Sequence, residues 1–292
     1  MQVQRFGWRT WFLGALVYLL AFIPRGWRWR LMLPKSTNLP AAEVTKLVVI
    51  GYTANNVLPF RLGELVRSVA AGTRFQISKT TCLGTIAAEK ILDGCCLLAL
   101  LAASLPFITI RDEYQATFCR LAWVVAGLFG ASLASCFALA RWHAPLLIWS
   151  RRRLPAKLTR LFETAMAALA TFRSARTTAA TAALTVLVWT LEGCCFALFL
   201  QRMEVDAVLP KAFFCLVVVN MGILIPSAPG YVGVFQAGAV AALLALGMDP
   251  SRGLALGIVV HAAQWIPTTI LGVIFMAMMG LSWRRFYHLV DE

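Results

Sequence analysis

The sequence predicts an all-α, polytopic integral membrane protein, a helix bundle with two Pro/Gly-broken or re-entrant segments. Composition is the first sign: of 292 residues 60% are hydrophobic and 14% charged, with a mean hydropathy of +0.75, whereas soluble domains carry about 25% charged residues. Charge placement is the second. The net charge of +14 is concentrated in short connections between apolar runs, which suits anionic headgroups and argues against a nucleic-acid partner. The third is that two of the apolar runs are too short to span and end in proline and glycine. The eight cysteines show no metal-ligand spacing, and Cys82, Cys95, Cys96, Cys136, Cys194, Cys195 and Cys215 lie within the apolar runs, so they read as small packing residues.

The first run, 11–23, follows Arg5 and Arg9 and is not succeeded by a small-x-small cleavage site, so it reads as an uncleaved anchor. Its continuation, RGWRWRLMLPK, mixes Trp27 and Trp29 with Arg25, Arg28, Arg30 and Lys35. That blend predicts a segment lying along the membrane surface. The second run, 44–58, falls short of the roughly 20 residues of a straight span and ends at Pro59. With Gly63 close behind, the simplest reading is a helix that enters the bilayer, breaks and turns back.

This break belongs to the stretch YTANNVLPFRLGELVR, 52–67, which sets Asn55, Asn56, Arg61, Glu64 and Arg67 between apolar flanks. Polar, irregular backbone at membrane depth survives only where protein or a wet cavity covers it. The plainer reading is a cytoplasmic loop with Arg61 and Arg67 as positive-inside residues. In the next run, 80–110, Glu89 and Asp93 share one helix face while Lys90 lies about 100° round from Glu89. Two carboxylates on one face need a cation, which points to Arg61 or Arg67; the alternative is a solvated helix end.

Residues 118–140 make a full span. Between Arg141 and Arg176 eight basic residues face one acid, Glu163, which places this connection in the cytoplasm. Leu158, Leu161, Phe162, Ala165, Leu169 and Phe172 recur at helical spacing there, predicting an amphipathic helix on the inner leaflet. One transmembrane domain, 1–292, thus divides into a first half (1–140), a basic connection (141–176) and a second half (177–292).

The run 179–200 carries Glu192, and a charge near mid-helix costs about 2.5–3.5 kcal/mol on insertion scales, so this side chain should face the bundle. The run 212–225 is short again and leads into PSAPGYVGVFQAG, where Pro226, Pro229, Gly230 and Gly233 interrupt it before 235–246 resumes. Each half therefore has a short apolar helix, a proline, a glycine and then a polar residue, Glu64 or Gln236. Matching interrupted segments point to a transporter site between pseudo-repeats. The last run, 253–283, contains His261 and Pro267 and closes on Trp283, Arg284 and Arg285, which suits the cytoplasmic face. Counting back from Arg284 gives an even number of crossings provided 235–246 completes one. Upstream, Arg25 to Lys35 is too basic to sit outside, so either the first broken segment is re-entrant or the charge rule is overridden.

Taken together, NNVLPFRLGELVR, AAEKILDG and IPSAPGYVGVFQAG resemble the transmembrane flippase-like domain of lysylphosphatidylglycerol synthases and their stand-alone relatives, over roughly 27–272. By position, Asn56, Pro59, Arg61, Gly63, Glu64 and Arg67 match the first motif. Glu89 and Asp93 match the second, with Lys90 where arginine is more usual. Pro226, Pro229, Gly230 and Gly233 match the third, but Gln236 stands where glutamate is usual and His261 where arginine is. If those two positions pair in relatives, both partners have changed here together.

The resemblance implies translocation of a polar-headed phospho- or glycolipid between leaflets of the cytoplasmic membrane. It also implies a chain that is not itself an enzyme, since no soluble synthase domain follows up to Glu292. A phosphate is expected on Arg61 and Arg67, with Glu64, Glu89 and Asp93 orienting them or receiving an amine. Asn55, Asn56, Lys90 and Glu192 are expected around the same wet, positively charged pocket, and Tyr231, Gln236 and His261 on its opposite wall. The partners implied are membrane lipids, anionic or phosphate-bearing. The rival reading is a scaffold or regulatory subunit for a lipid-modifying or glycosyltransferase enzyme, its charges holding helices together. An intramembrane enzyme lacks support: His143, His261 and His288 are scattered, and no metal, cofactor or nucleotide motif is found.

Overall fold

Backbone polar groups in a bilayer must be satisfied within the chain, and among the described residues this chain does so with helices and turns, without strands. The computed structural model describes residues 6–34, 39–58, 62–224 and 228–281. Pro59, Arg61, Pro226 and the 283–285 end lie outside them.

A rod of α1 (Gly7–Leu20) and α2 (Phe22–Met32), offset at Ala21, opens the bundle. The two breaks each produce a helical hairpin. The first is α3 (Ala41–Val57) with α4 (Gly63–Phe75); the second is α10 (Val208–Ile223) with α11 (Val234–Ala245). Long helices follow both, α5 (Lys79–Ser104) after the first and α12 (Pro250–Met278) after the second. Between them run α6 (Asp112–Arg141), the basic connection as α7 (His143–Arg153) and α8 (Ala156–Ala168), and α9 (Ala175–Leu200). The stretches Gly7–Met32, Asp112–Arg141, Ala175–Met203 and Pro250–Met278 are long and apolar enough to cross a membrane. With 26 residues, α5 reaches about 39 Å at 1.5 Å per residue, also a spanning length, despite the charges in its middle.

Side-chain pairings fix the direction of each element. Arg202 Nε donates to Thr10 Oγ1 at 2.9 Å and Arg28 Nη1 to Thr185 Oγ1 at 3.0 Å, so the α1–α2 rod runs antiparallel to α9. A Cβ on Gly272 would meet the Thr53 side chain, while Asn56 Nδ2 donates to the Trp265 carbonyl at 3.4 Å, which sets α3 antiparallel to α12. The Arg111 N–H donates to the Ala245 carbonyl at 2.9 Å, joining the start of α6 to the end of α11. One face of the bundle therefore gathers Thr10, Arg111, Arg202 and Gly247. The other gathers Leu39, Gln76, the α7–α8 connection and Met279.

Two sequence expectations change. The α3–α4 hairpin enters and leaves by the face that carries the basic connection, so of the two alternatives for the first broken segment the re-entrant one holds. The α10–α11 hairpin enters and leaves by the opposite face. With 12 residues, α11 extends about 18 Å, so 235–246 does not complete a crossing; the count stays even because α9 and α12 alone cross. The second change concerns Arg25 to Lys35. Instead of lying on the surface, Arg25 and Arg28 are 2% and 0% exposed and Trp29 is fully buried. Phe22, Arg25, Trp29 and Met32 repeat at three to four residues and point inward, while Trp27 and Arg30 lie outside with the guanidinium over the indole.

Close approach makes the first hairpin possible. A Cβ on Gly63 would run into the Gly51 carbonyl and the Asn55 side chain, so glycine lets α4 fold back onto α3. The Asn55 Oδ1 then accepts the otherwise unpaired Gly63 N–H at 2.7 Å, satisfying a donor at the start of α4.

Candidate functional site

Charged side chains in the bundle core have to be paired, because an isolated charge there is strongly disfavoured. The α2, α4, α5 and α9 helices supply the pairs. Arg28 donates from Nη1 to Asp93 Oδ1 at 2.6 Å and reaches Glu89 Oε1 at 3.1 Å. Arg67 grips the same Glu89 with both terminal nitrogens, at 3.1 and 2.8 Å, and its guanidinium sits 3.7 Å from the Trp29 ring centre. On the other side, Arg25 pairs with Glu192 and lies 4.9 Å from the Tyr52 ring centre. Indole donors finish the network: Trp189 Nε1 donates to Asp93 Oδ1 at 2.9 Å and Trp29 Nε1 to Thr85 Oγ1 at 3.1 Å.

Above this network the tips of the two hairpins meet. Pro229, Gly230, Tyr231 and Gly233 form the second tip, and Gly230, Tyr231 and Gly233 all have positive φ. A Cβ on Gly230 would lie 3.0 Å from the Asn56 carbonyl of the first tip and against the Trp265 indole of α12, so a larger residue would push the two breaks apart. Asn56 Nδ2 also donates to Thr269 Oγ1 at 2.9 Å, tying the first tip to α12.

Between the tips and the ion pairs lies a cavity of about 370 Å³. Asn55, Asn56, Glu64, Lys90, Asp93 and Glu192 line it, with Tyr231 and His261 across from them. Of the side chains expected around one pocket, the structure thus brings these eight together. It does not bring in Arg67, whose guanidinium is taken up by Glu89, nor Glu89, which is fully buried behind the cavity wall. Gln236 stands just behind His261: its Nε2 lies 3.0 Å from His261 Nδ1, and its Oε1 accepts the Gly233 N–H at 2.8 Å. The two residues that depart from the motif pattern are direct partners, and the imidazole stacks on Phe235. Lys90, far from being idle, reaches Glu64 at 3.8 Å.

Among the described residues the pocket wall is not positively charged, and Arg61, expected in the same pocket, lies outside them. The formal charges of the described wall are Arg25 and Lys90 against Glu64, Asp93 and Glu192, two cations to three acids, because the helix pairs bring a carboxylate with nearly every cation. Polar atoms remain at its wall all the same. Arg25 Nη1, Glu64 Oε2, Trp265 Nε1 and Thr268 Oγ1 are buried and have no hydrogen-bond partner among the described residues. Three of these can donate and one accepts.

Several of these residues escaped the sequence reading. The mixture of tryptophan and arginine around Arg25 predicts the headgroup layer, while its spacing of three from Arg28 on an aromatic face is the signal for the buried network. Asn220, also at the wall, is an isolated amide in the apolar part of α10 with no spacing to read, whereas Trp265 belongs with His261, Gln264 and Thr268 to one face of α12, a helical spacing that was available. Among the described residues, no three His, Cys, Asp or Glu side chains come together to hold a metal ion.

Comparison with known families decides what this architecture is. The family described as the lysylphosphatidylglycerol synthase TM region matches residues 2–272 of the 292. The chain belongs to this family. No curated protein and no solved structure matches it. Membership covers both hairpins, the ion-pair network and the cavity between them, and it makes the chain an integral membrane protein linked to lipid synthesis or flipping.

Proposed function

We propose that this protein moves a polar-headed phospho- or glycolipid between the leaflets of the cytoplasmic membrane, with the basic connection and the chain's C-terminal end in the cytoplasm, and that it performs no chemistry on the lipid. One observation carries the reading: a polar cavity sits where two helix breaks, entering from opposite faces, meet inside the bundle. A headgroup moving through hydrocarbon would lose its hydration, and a cavity with ready donors and acceptors replaces those hydrogen bonds. Among the lining side chains, Arg25, Lys90 and Trp265 have donors that suit a phosphate or sugar oxygen, and Glu64 has an acceptor that suits an amine or hydroxyl. The mixed charge of the described wall, Arg25 and Lys90 beside Glu64, Asp93 and Glu192, favours a zwitterionic or hydroxyl-rich headgroup over a bare anion.

The test is translocation of fluorescent phosphatidylglycerol and phosphatidylethanolamine by purified protein in vesicles, read by quenching from outside. Lys90→Ala, at a partly exposed position that should fold normally, is expected to slow movement. Equal rates in protein-free and protein-containing vesicles would overturn the proposal.

A second reading rests on the fact that Arg25, Arg28 and Arg67 each already hold a carboxylate. Such a network can serve helix packing alone, in a scaffold for a lipid-modifying or glycosyltransferase enzyme. Co-purification with such an enzyme, together with no lipid movement, would favour it.

A further inference from the structure

A second, apolar cavity of about 500 Å³ lies between α5, α6, α10 and α11. Leu98 of α5, Leu121 and Val125 of α6, Val218 of α10 and Ala241 of α11 represent its walls. It adjoins the polar cavity, and Met221 and Leu224 line both. These two residues sit one turn apart at the end of α10, with Asn220 on the polar side and Val218 on the apolar side. Polarity therefore switches within about one helical turn, as it does between the headgroup and the chains of a lipid.

Packing of the α6 wall is light. Near one end Phe118 meets Phe214 of α10, and near the other Phe137 meets Phe172 after α8. In between, the Phe129 ring lies against Gly94 of α5, at the rim of the polar cavity. Only 6% of the apolar window of this helix is buried. Trp123, Val124 and Leu128 point away from the bundle, so bilayer lipid covers the outer side of the helix that closes the groove.

We propose that the groove holds an acyl chain of the same lipid molecule whose headgroup occupies the polar cavity, the molecule entering sideways past Phe129 and Met221. This rests on the translocation reading above and specifies its cargo as a lipid bound by head and tail together. Lipid chains are as apolar as leucine, so a chain gains little by leaving the bilayer for the groove. The gain is positional: the tail stays in an apolar setting while the head is drawn inward. A free headgroup or a soluble phosphate would have no use for the groove.

The experiment uses the full chain in vesicles of phosphatidylglycerol and phosphatidylethanolamine doped with phosphatidylglycerol carrying a diazirine in one acyl chain. After irradiation, adducts are mapped by peptide mass spectrometry, and translocation is measured on the same preparations. Adducts are expected at 217–224 and 234–241 as well as on the outer face around Trp123. Asn220→Trp, which fills the polar cavity, should lower the groove adducts about tenfold, a change in occupancy corresponding to one decade of affinity, and leave the outer-face adducts unchanged. Lys90→Ala provides the same comparison should Asn220→Trp fail to fold. Ala241→Trp, which fills the groove, should remove the groove adducts and slow translocation.

Groove adducts that persist equally in the cavity variants would mean ordinary bilayer lipid only and would overturn the proposal, as would their absence from a protein that translocates lipid. Cavity-dependent adducts without translocation would uphold head-and-tail binding and sink the translocation reading alone. Neither adducts nor movement would sink both.

Discussion

Glu192 shows what a single buried side chain controls. Its carboxylate compensates Arg25, which is 2% exposed, so Glu192→Ala strands a guanidinium in an apolar core. Removing one partner of a buried pair costs about 3–5 kcal/mol, and thermal unfolding in detergent should show the variant strongly destabilised. Replacing both partners by methionine should restore most of that stability, because well-packed apolar pairs often match buried ion pairs. Under the translocation reading, the same double variant should stay slow in vesicles. Gln236 and His261 give a second case. Gln236→Glu or His261→Arg alone introduces one uncompensated charge, whereas the double variant makes a pair. A double-mutant cycle on unfolding temperature should yield a coupling of about 0.5–3 kcal/mol favouring the double change; additivity would mean that the two side chains do not interact. Glu192, the Glu89–Asp93 face and its need for a cation from Arg61 or Arg67 were legible in the sequence, since a charge in an apolar run has few tolerable environments. Arg25 and Arg28 were not, because basic residues next to tryptophan have the same local pattern at a membrane surface as in a buried network.

The hairpins depend on turns and close contacts. Gly63→Ala would press a methyl group into the Gly51 carbonyl, and overpacking of this kind costs about 1–3 kcal/mol. Because α4 carries Arg67, the shift should also loosen the Glu89 pair. The check is the unfolding temperature of Gly63→Ala beside that of Gly127→Ala, where nothing lies within 4 Å of the added carbon. Asn55→Ala should be similarly harmful, since a buried Gly63 N–H left without its acceptor costs about 1–3 kcal/mol. Short length and the Pro-Gly signals identified both breaks in the sequence. The sequence did not fix the return of α11 to its starting face, because a short helix followed by a long one is compatible with either path until its neighbours are known.

The crossing pattern is testable as a whole. In a cysteine-free background, single cysteines at Gln76 and Arg153 should be labelled by a membrane-impermeant maleimide from one side of the membrane, and those at Thr109, Asp206 and Gly247 from the other. Labelling of Gln76 and Gly247 from the same side would break the opposed-hairpin arrangement. The sequence by itself determined that this chain lives in a membrane, that it is helical, and that two segments within it must break. Those properties follow from hydrophobicity, the length of a span and the backbone limits of proline and glycine, all local quantities. Only the tertiary structure decided that the two tips meet, that Arg25 and not Arg67 reaches the cavity, and that acids and cations are mixed on the described part of its wall. Those outcomes depend on which helix faces which, and a buried charge takes its partner from residues as distant in sequence as Arg25 and Glu192.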